Sequence, residues 1–507
     1  MDQQTIVILN FGGRYRDTIA RRVRELSVYS EILPVETHAD KIRKMNPIGI
    51  ILVGGGKSIL DSDIVFPEKS LYKSGIPILG IGLGAQLMAA QLGGTVIPLD
   101  SPGSAAEIRV DASSPLFSNL DEAQPVYFDH VARIEKLPDG FRSTASMQDL
   151  NVAAFENDAA KLYGTQFFLE AEETASGRRM LERFLFGICG AEGSFTIDDY
   201  LNNQIKSIKH TVGKERILLA LSGGLDSSVV AAILSAAVPN QLTCVFVDHG
   251  LMRKGEGDEI EAAFQGKSLK LVRVDASERF FKKLSGVVDP EKKRKIIGEQ
   301  FIKVFSKQAQ RVGGAKFLAQ GTIYPDVIES GIGKNNLIKS HHNVGGLPKE
   351  LGFKDLVEPL RYLFKDEVRQ LGRLMGLPSS IVNRQPFPGP GLAIRILGDV
   401  TRAKAELLRE VDAIFREELA DADLRPSQFF AVLSDHRSVG VEKGARTYHH
   451  TVILRAVQTM DFMKASYVPL PHEVLRRISR RITSEVVGVN RVVYDVTDKP
   501  PATIEWE

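Results

Sequence analysis

Apolar and polar residues follow two rhythms along this chain. In the first 190 residues, unbroken apolar runs at 6–9, 49–53 and 76–81 are separated by stretches of helical spacing. One such stretch, 17–26, repeats apolar Ile19, Val23 and Leu26 every three or four positions. Short unbroken runs read as buried strands, and the wider spacing reads as amphipathic helix. Two runs end in glycine-rich turns, Gly54-Gly55-Gly56 and Gly80-Ile81-Gly82-Leu83-Gly84, and helix is predicted again over 86–92. Strands alternating with helices predict a parallel α/β sheet. After a glycine-containing break at 187–194 the pattern restarts: helix 197–209, strand 216–221, turn 222–228, apolar helix 229–238, strand 242–247. This second βαβ unit predicts a second parallel sheet. A basic helix start is predicted at 289–303 and a long functional loop at 329–350. The proline cluster Pro386-Phe387-Pro388-Gly389-Pro390-Gly391 marks a third boundary, with helices and strand-like pieces such as 491–495 beyond it.

The length, 507 residues, suggests about three domains. A hydrophobic share of 43% is ample for packed cores and rules out a disordered chain. Lys plus Arg number 65 against 63 Asp plus Glu, a net charge of +2, so no global charge invites nucleic acid or an acidic membrane surface. No run of about 18 apolar residues spans a membrane. The start, Met1-Asp2-Gln3-Gln4, lacks the marks of a signal peptide, and a cytoplasmic enzyme is expected. Two cysteines, Cys189 and Cys244, are too few for a disulfide framework or a four-thiolate zinc site. They also leave few candidates for a thiol nucleophile.

The turn Ser222-Gly223-Gly224-Leu225-Asp226-Ser227-Ser228 lies between a predicted strand and helix. Its glycines allow a tight turn, and its serines add hydroxyl donors at a helix N-terminus, where the dipole favours anions. The result is a phosphate cradle. Asp226 would repel phosphate unless a cation bridges the two, which implies Mg²⁺ at Asp226. The plainer alternative is an ordinary βα turn with serine as N-cap. The string resembles the PP-loop of ATP pyrophosphatases, and that resemblance puts Asp248, at the end of the next strand, near the adenosine.

Longer strings make the resemblance more specific: 319–330; Lys339-Ser340-His341-His342-Asn343-Val344-Gly345-Gly346-Leu347-Pro348; 386–392; and the C-terminal 499–507. By these the chain resembles the glutamine-hydrolysing GMP synthetases over its whole length. The resemblance implies an α/β class I glutamine amidotransferase-like domain at 1–190 and a PP-loop ATP pyrophosphatase domain, adenine nucleotide alpha-hydrolase-like, at 191–384. An α+β C-terminal dimerisation domain follows at 385–507, hence a homodimer. It also implies a reaction, in which ATP adenylates XMP and ammonia then displaces AMP to give GMP. Lys339, His341, His342, Arg491, Lys499, Ile504 and Glu505 would hold XMP. The two adjacent histidines could instead suggest zinc, though no third ligand lies nearby, and the loop could be a solvated surface segment.

The amino-terminal domain departs from the pattern. The family's nucleophile turn, Gly-Ile-Cys-x-Gly-x-Gln, here reads Gly80-Ile81-Gly82-Leu83-Gly84-Ala85-Gln86. The family's Gly-x-Gln-Phe-His-Pro-Glu reads Gly164-Thr165-Gln166-Phe167-Phe168-Leu169-Glu170. Gly82 stands for the nucleophile and Phe168 for the base, leaving only the orienting acid Glu170. Amide hydrolysis by this route needs a thiolate and a base in contact. Neither Cys189 nor Cys244 falls in the right place. Asn10-Phe11-Gly12-Gly13-Arg14 and His130-Val131-Ala132 also depart from the family's Asp-Phe-Gly-Ser-Gln and His-Gly-Asp. The expectation is therefore a glutaminase fold without glutaminase activity, served by free ammonia or by a separate glutaminase. Two further departures are Val441-Glu442-Lys443-Gly444, an acid where the base of the substrate could lie, and His249 beside Asp248. Glu442 and Lys443 keep open a paralogue that adenylates another purine-like acceptor or uses another nucleophile, while the change at 249 is a mild one on the adenosine side. A third alternative is a non-catalytic scaffold.

Overall fold

A computed structural model describes residues 3–12, 16–55, 57–99, 105–129, 131–329, 353–442, 444–459 and 464–507. The chain divides into two compact units, Met1–Tyr200 with Pro325–Asn335, and Leu201–Tyr324 with Asn336–Glu507.

The first unit is built on a nine-stranded sheet. Five neighbouring strands are parallel: Tyr29–Pro34, Thr5–Asn10, Gly49–Gly54, Ile78–Gly82 and Leu162–Thr165. Four antiparallel strands extend it, in the order Leu150–Asn157, Arg142–Met147, Ala105–Val110 and Ala123–Tyr127. The unbroken apolar runs are the central strands: Ile6–Leu9 and Ile50–Val53 are shut off from solvent on both faces, as a covered parallel sheet requires. The strand predicted from 76 begins at Ile78, because Pro77 has no N–H for the ladder and contributes only its carbonyl, 2.8 Å from Ile50 N. The following helix begins at Leu83 rather than 86. Strand and helix meet at Gly82 with no loop between them.

The second unit holds a five-stranded parallel sheet in the order Lys270–Asp275, Leu242–Asp248, Arg216–Ala220, Ala315–Ala319, Asp355–Val357. The turn after Arg216–Ala220 is shorter than predicted, and helix Leu225–Ala237 starts inside it. The basic helix runs from Pro290 to Val312, with Asp289 as its N-cap accepting from Lys292 N at 2.7 Å. A second sheet of four strands follows. A long antiparallel hairpin, Gln428–Glu442 and Ala445–Gln458, is flanked by Ser466–Tyr467 and by Val489–Tyr494, which runs parallel to its second arm. Both sheets share one apolar core: Leu218, Val245, Phe280 and Phe305 belong to the same cluster as Leu392, Ile414, Val452 and Ile478. The proline cluster leads into the buried turn Gly391–Arg395, so the chain passes through the core at this boundary. Among the described residues no helix is long and apolar enough to cross a membrane.

Candidate active site

The glycine at the strand–helix junction keeps an unusual backbone. Gly82 has φ 58° and ψ −116°, a conformation that costs an L side chain energy. A Cβ placed there would lie 2.9 Å from two ring carbons of Phe168. The Phe168 ring, itself 1% exposed, fills the space a nucleophile side chain would occupy. It is fixed there by its own backbone: Phe168 N donates to Tyr127 O at 3.0 Å, and Thr174 Oγ1 donates to Phe168 O at 2.7 Å. Two residues on, Glu170 is buried and neither carboxylate oxygen has a hydrogen-bond partner among the described residues. Burial raises its pKa to about 8, a shift that Arg22 only partly opposes.

No thiol reaches this junction. Cys189 packs against Gly49, whose Cβ would sit 2.5 Å from its sulfur. Gly49 opens the strand whose last residue, Gly54, pairs with Gly82. Five residues of strand put Cys189 about 16 Å away, at the opposite end of the strands. Burial pushes its thiol up, away from the thiolate. Cys244 lies in the second unit, mid-strand between Leu219 and Leu271, and its thiol is pushed up to about 12 by burial. Near the junction, Asn10 Oδ1 accepts from Gly12 N at 2.8 Å, while Gly13, Arg14 and His130 lie outside the described residues.

In the second unit the loop after Arg216–Ala220 is knitted by its own side chains. The hydroxyls of Ser222 and Ser227 are 3.0 Å apart, Gly224 N donates to Ser222 Oγ at 3.3 Å, and Ser222 N donates to Ser227 Oγ at 3.2 Å. Gly223 has φ 80°, and a Cβ there would meet Ile260 at 2.2 Å, so only glycine fits. The serines are not equivalent, contrary to the sequence reading. Ser228 is fully buried, with its N donating to Gly224 O at 3.1 Å, and Leu225 is buried in the core, so neither offers its side chain to the loop. Asp226 meets a cation within the chain. Both its oxygens accept from Lys365 Nζ, at 2.7 and 2.8 Å, so an ammonium already offsets the acid. Among the described residues no group of three or more His, Cys, Asp or Glu could hold a metal by itself. Lys365 was missed by the sequence reading. Its signal was available: it opens helix Lys365–Leu374, where the dipole disfavours a cation, so another charge must hold it there.

Asp248 ends its strand beside this loop, with Oδ1 accepting from Gly250 N at 3.0 Å and Oδ2 from Arg273 Nη2 at 2.9 Å. His249, beside it, is turned inward. Its ring is buried 5.6 Å from Phe280, its Nδ1 accepts from Leu251 N at 3.1 Å, and burial lowers its pKa to about 4.

The C-terminal segment is docked by four buried or half-buried cations, none of them singled out from sequence. Arg395 binds Glu505 with two nitrogens, at 3.1 and 2.8 Å, and Gln428 Nε2 donates to the same carboxylate at 3.1 Å. Lys293 Nζ, without solvent exposure, donates to Ala393 O, Ile396 O and Glu507 Oε2 at 3.2, 2.7 and 2.5 Å. Arg294 Nη2 donates to Glu507 O at 2.6 Å. Arg455 gathers the main-chain oxygens of Thr497, Thr503 and Ile504 and the Asp495 carboxylate within 2.9 Å. Ile504 is buried against Phe430 and Ile453, and Lys499 pairs its backbone with Ala465 at 2.7 and 3.0 Å. A cavity of about 520 Å³ opens here, lined by Tyr494, Asp495, Thr503, Glu505 and Trp506 among others. Lys499, Ile504 and Glu505 therefore belong to one docked segment. Arg491 does not join it: it sits opposite Thr451, four residues and about 13 Å along the strand from Arg455. Lys339, His341 and His342 lie outside the described residues.

Three family descriptions match in chain order: glutamine amidotransferase class-I over residues 7–188, asparagine synthase over 198–269, and GMP synthase C terminal domain over 417–506. The GMP synthase [glutamine-hydrolyzing] of Treponema denticola is 52% identical over 99% of this chain and 97% of its own length. The enzymes of the same name from Acetivibrio thermocellus and Caldicellulosiruptor saccharolyticus are each 50% identical over all of both chains. The chain belongs to the GMP synthase family. In this GMP synthase family member, Glu442 stands exposed at the tip of the long hairpin, 3.9 Å from His449 Nε2, and Lys443 beside it lies outside the described residues.

Proposed function

We propose that this chain makes GMP from XMP and ATP, and that it takes the nitrogen from ammonia rather than from glutamine hydrolysed in its own amino-terminal unit. The relatives are named glutamine-hydrolysing. The observation that carries the departure is the Phe168 ring packed onto Gly82, where the route needs a thiolate and an imidazole.

The reaction proceeds in two displacements. XMP O2 attacks the α-phosphorus of ATP, the bond to the β-phosphate oxygen breaks, and pyrophosphate leaves. Ammonia then adds at C2, the C2–O bond breaks, AMP leaves, and the added nitrogen loses a proton. Adenylation is needed because the C2 oxygen alone is a poor leaving group. The loop at 222–228 would hold the β- and γ-phosphates with its N–H groups, with Asp248 on the nucleoside side. Asp226 would hold Mg²⁺ arriving on the triphosphate, consistent with a single carboxylate supplemented by phosphate oxygens; the ion offsets phosphate charge. Lys365 stabilises the charge that develops on the departing pyrophosphate. Lys499, Ile504 and Glu505, with Lys339, His341 and His342, would contact XMP. Boundaries at 190 and 384, a homodimer formed through residues 385–507, and a cytoplasmic location complete the proposal.

The deciding experiment supplies purified chain with XMP, ATP and Mg²⁺, and either glutamine or ammonium. GMP and AMP should accumulate with ammonium alone, and glutamine should yield no glutamate above background. Stoichiometric glutamate release would overturn the ammonia reading.

A further inference from the structure

A second cleft in the Leu201–Tyr324 and Asn336–Glu507 unit has no part in the reaction above. Its volume is about 740 Å³, within the range of small-molecule sites, and six cationic side chains line it against three carboxylates. The charges are not all matched. Asp412, 1% exposed, lies between the guanidinium groups of two lining residues, 3.5 Å from Arg253 Nε and 3.1 Å from Arg416 Nε. One carboxylate thus faces two cations. Arg253 is 6% exposed, and its Nη2 has no hydrogen-bond acceptor among the described residues, while its Nε meets only the Asp412 carboxylate that it shares with Arg416. Buried guanidinium hydrogens left unpaired are costly, and a planar fork of donors suits a phosphate group. Arg369, half-buried on the wall, has no ion-pair partner among the described residues. Phe429, also in the wall, offers a flat apolar surface.

The cleft also reaches the ATP loop. Arg384 lines it and donates Nη1 to Gly223 O at 2.8 Å and to Glu256 Oε1 at 2.7 Å, while Nη2 donates to Glu259 Oε2 at 2.9 Å. Gly223 is the loop glycine whose conformation admits no other residue, so the position of Arg384 bears directly on the loop's shape.

We infer that this cleft is a second anion site, for a phosphate-bearing small molecule of nucleotide size, coupled to the ATP loop through Arg384. The coupling rests on the reading of 222–228 as the ATP loop; the binding does not. Anion bound among Arg253, Arg369 and Arg416 would act through Arg253, whose backbone N donates to Glu256 Oε2 at 3.0 Å, the carboxylate that also holds Arg384. By drawing on the same cluster it changes the hold of Arg384 on Gly223.

The test is calorimetric titration of the full-length chain with inorganic phosphate and, separately, GTP, after α,β-methylene-ATP and XMP have been added to saturation. A further class of sites, one per chain, is expected. Arg369→Gln and Arg416→Gln should each weaken it about tenfold, the loss of one charge-assisted hydrogen bond. GTP tighter than phosphate identifies a nucleoside phosphate; equal affinities identify the phosphate group alone. By reciprocity, phosphate or GTP should also change the affinity for α,β-methylene-ATP, and Arg384→Gln should abolish that change. Absence of the second class, or variants that titrate like the parent chain, overturns the site. Binding without any change in ATP-analogue affinity overturns the coupling. None of these readouts requires GMP to form, so failure here is separable from failure of the proposed reaction.

Discussion

Gly82 and Phe168 are an interlocked pair. Restoring a thiol alone by Gly82→Cys forces a Cβ against a ring 2.9 Å away at positive φ, and should destabilise the unit by about 1–3 kcal/mol. Adding Phe168→His should relieve most of that loss, a non-additivity measurable in a thermal double-mutant cycle. Only the double variant puts a thiol and an imidazole at the junction, so glutamate release is expected from it alone. Glu170 gives a second residue-scale prediction. Its folded pKa is about 8 against an ordinary 4.5. Between those values the unfolded carboxyl has lost its proton while the folded one keeps it, so stability falls as pH rises through this window and levels off above it. Glu170→Met removes the titration. The variant's melting temperature should exceed the parent's by several degrees at pH 8, and the gap should narrow toward pH 5. A gap independent of pH would show that Glu170 is not the buried acid described here. The replacements at 82 and 168 and the retained acid at 170 were legible in the string of letters. That the phenyl ring occupies the vacated space was not, because the two positions are 86 residues apart and meet only across the sheet.

At the scale of elements, two helices place cations that their own sequences do not explain. Lys365 starts a helix and grips Asp226, 139 residues away. Both side chains are partly solvated, so Lys365→Gln should change stability by no more than about 1 kcal/mol. It should nevertheless slow XMP-dependent pyrophosphate release about a hundredfold, the usual loss on removing one group that stabilises developing charge. The helix Pro290–Val312 and the turn Gly391–Arg395 hold the C-terminal segment. Arg395 has no solvent exposure and binds Glu505 with two nitrogens. Arg395→Met leaves that carboxylate without its cation, and should cost about 3–5 kcal/mol and raise KM for XMP more than KM for ATP. Equal effects on both substrates would remove the segment from the XMP site. The apolar runs gave the strands and helices to within a few residues, since burial on both faces leaves little choice of residue. Helix starts were less legible, because Gly82 and Gly224 turn the chain so sharply that no loop residues announce the change.

For the whole molecule, the two units have separate sheets, and the core of the second runs without a break from Leu218 to Val489. A chain starting near residue 196 should therefore fold and keep ammonium-dependent GMP formation, whereas residues 385–507 alone should not melt cooperatively, having lost half of their core. Calorimetry of both fragments checks this. The sequence by itself determined the α/β class, the order of the three family-like segments, the ATP loop and the loss of a nucleophile and base from the amino-terminal unit. These are properties of short contiguous strings, where side-chain period and glycine spacing act locally. Only the tertiary structure decided that Cys189 lies at the wrong end of its sheet's strands, that Lys365 faces Asp226, that Arg491 stands apart from Lys499 and Glu505, and that Phe168 fills the place of the missing thiol. Each of those depends on which distant residues the packing of sheets and helices brings together, and charge pairing and steric exclusion act through space regardless of separation along the chain.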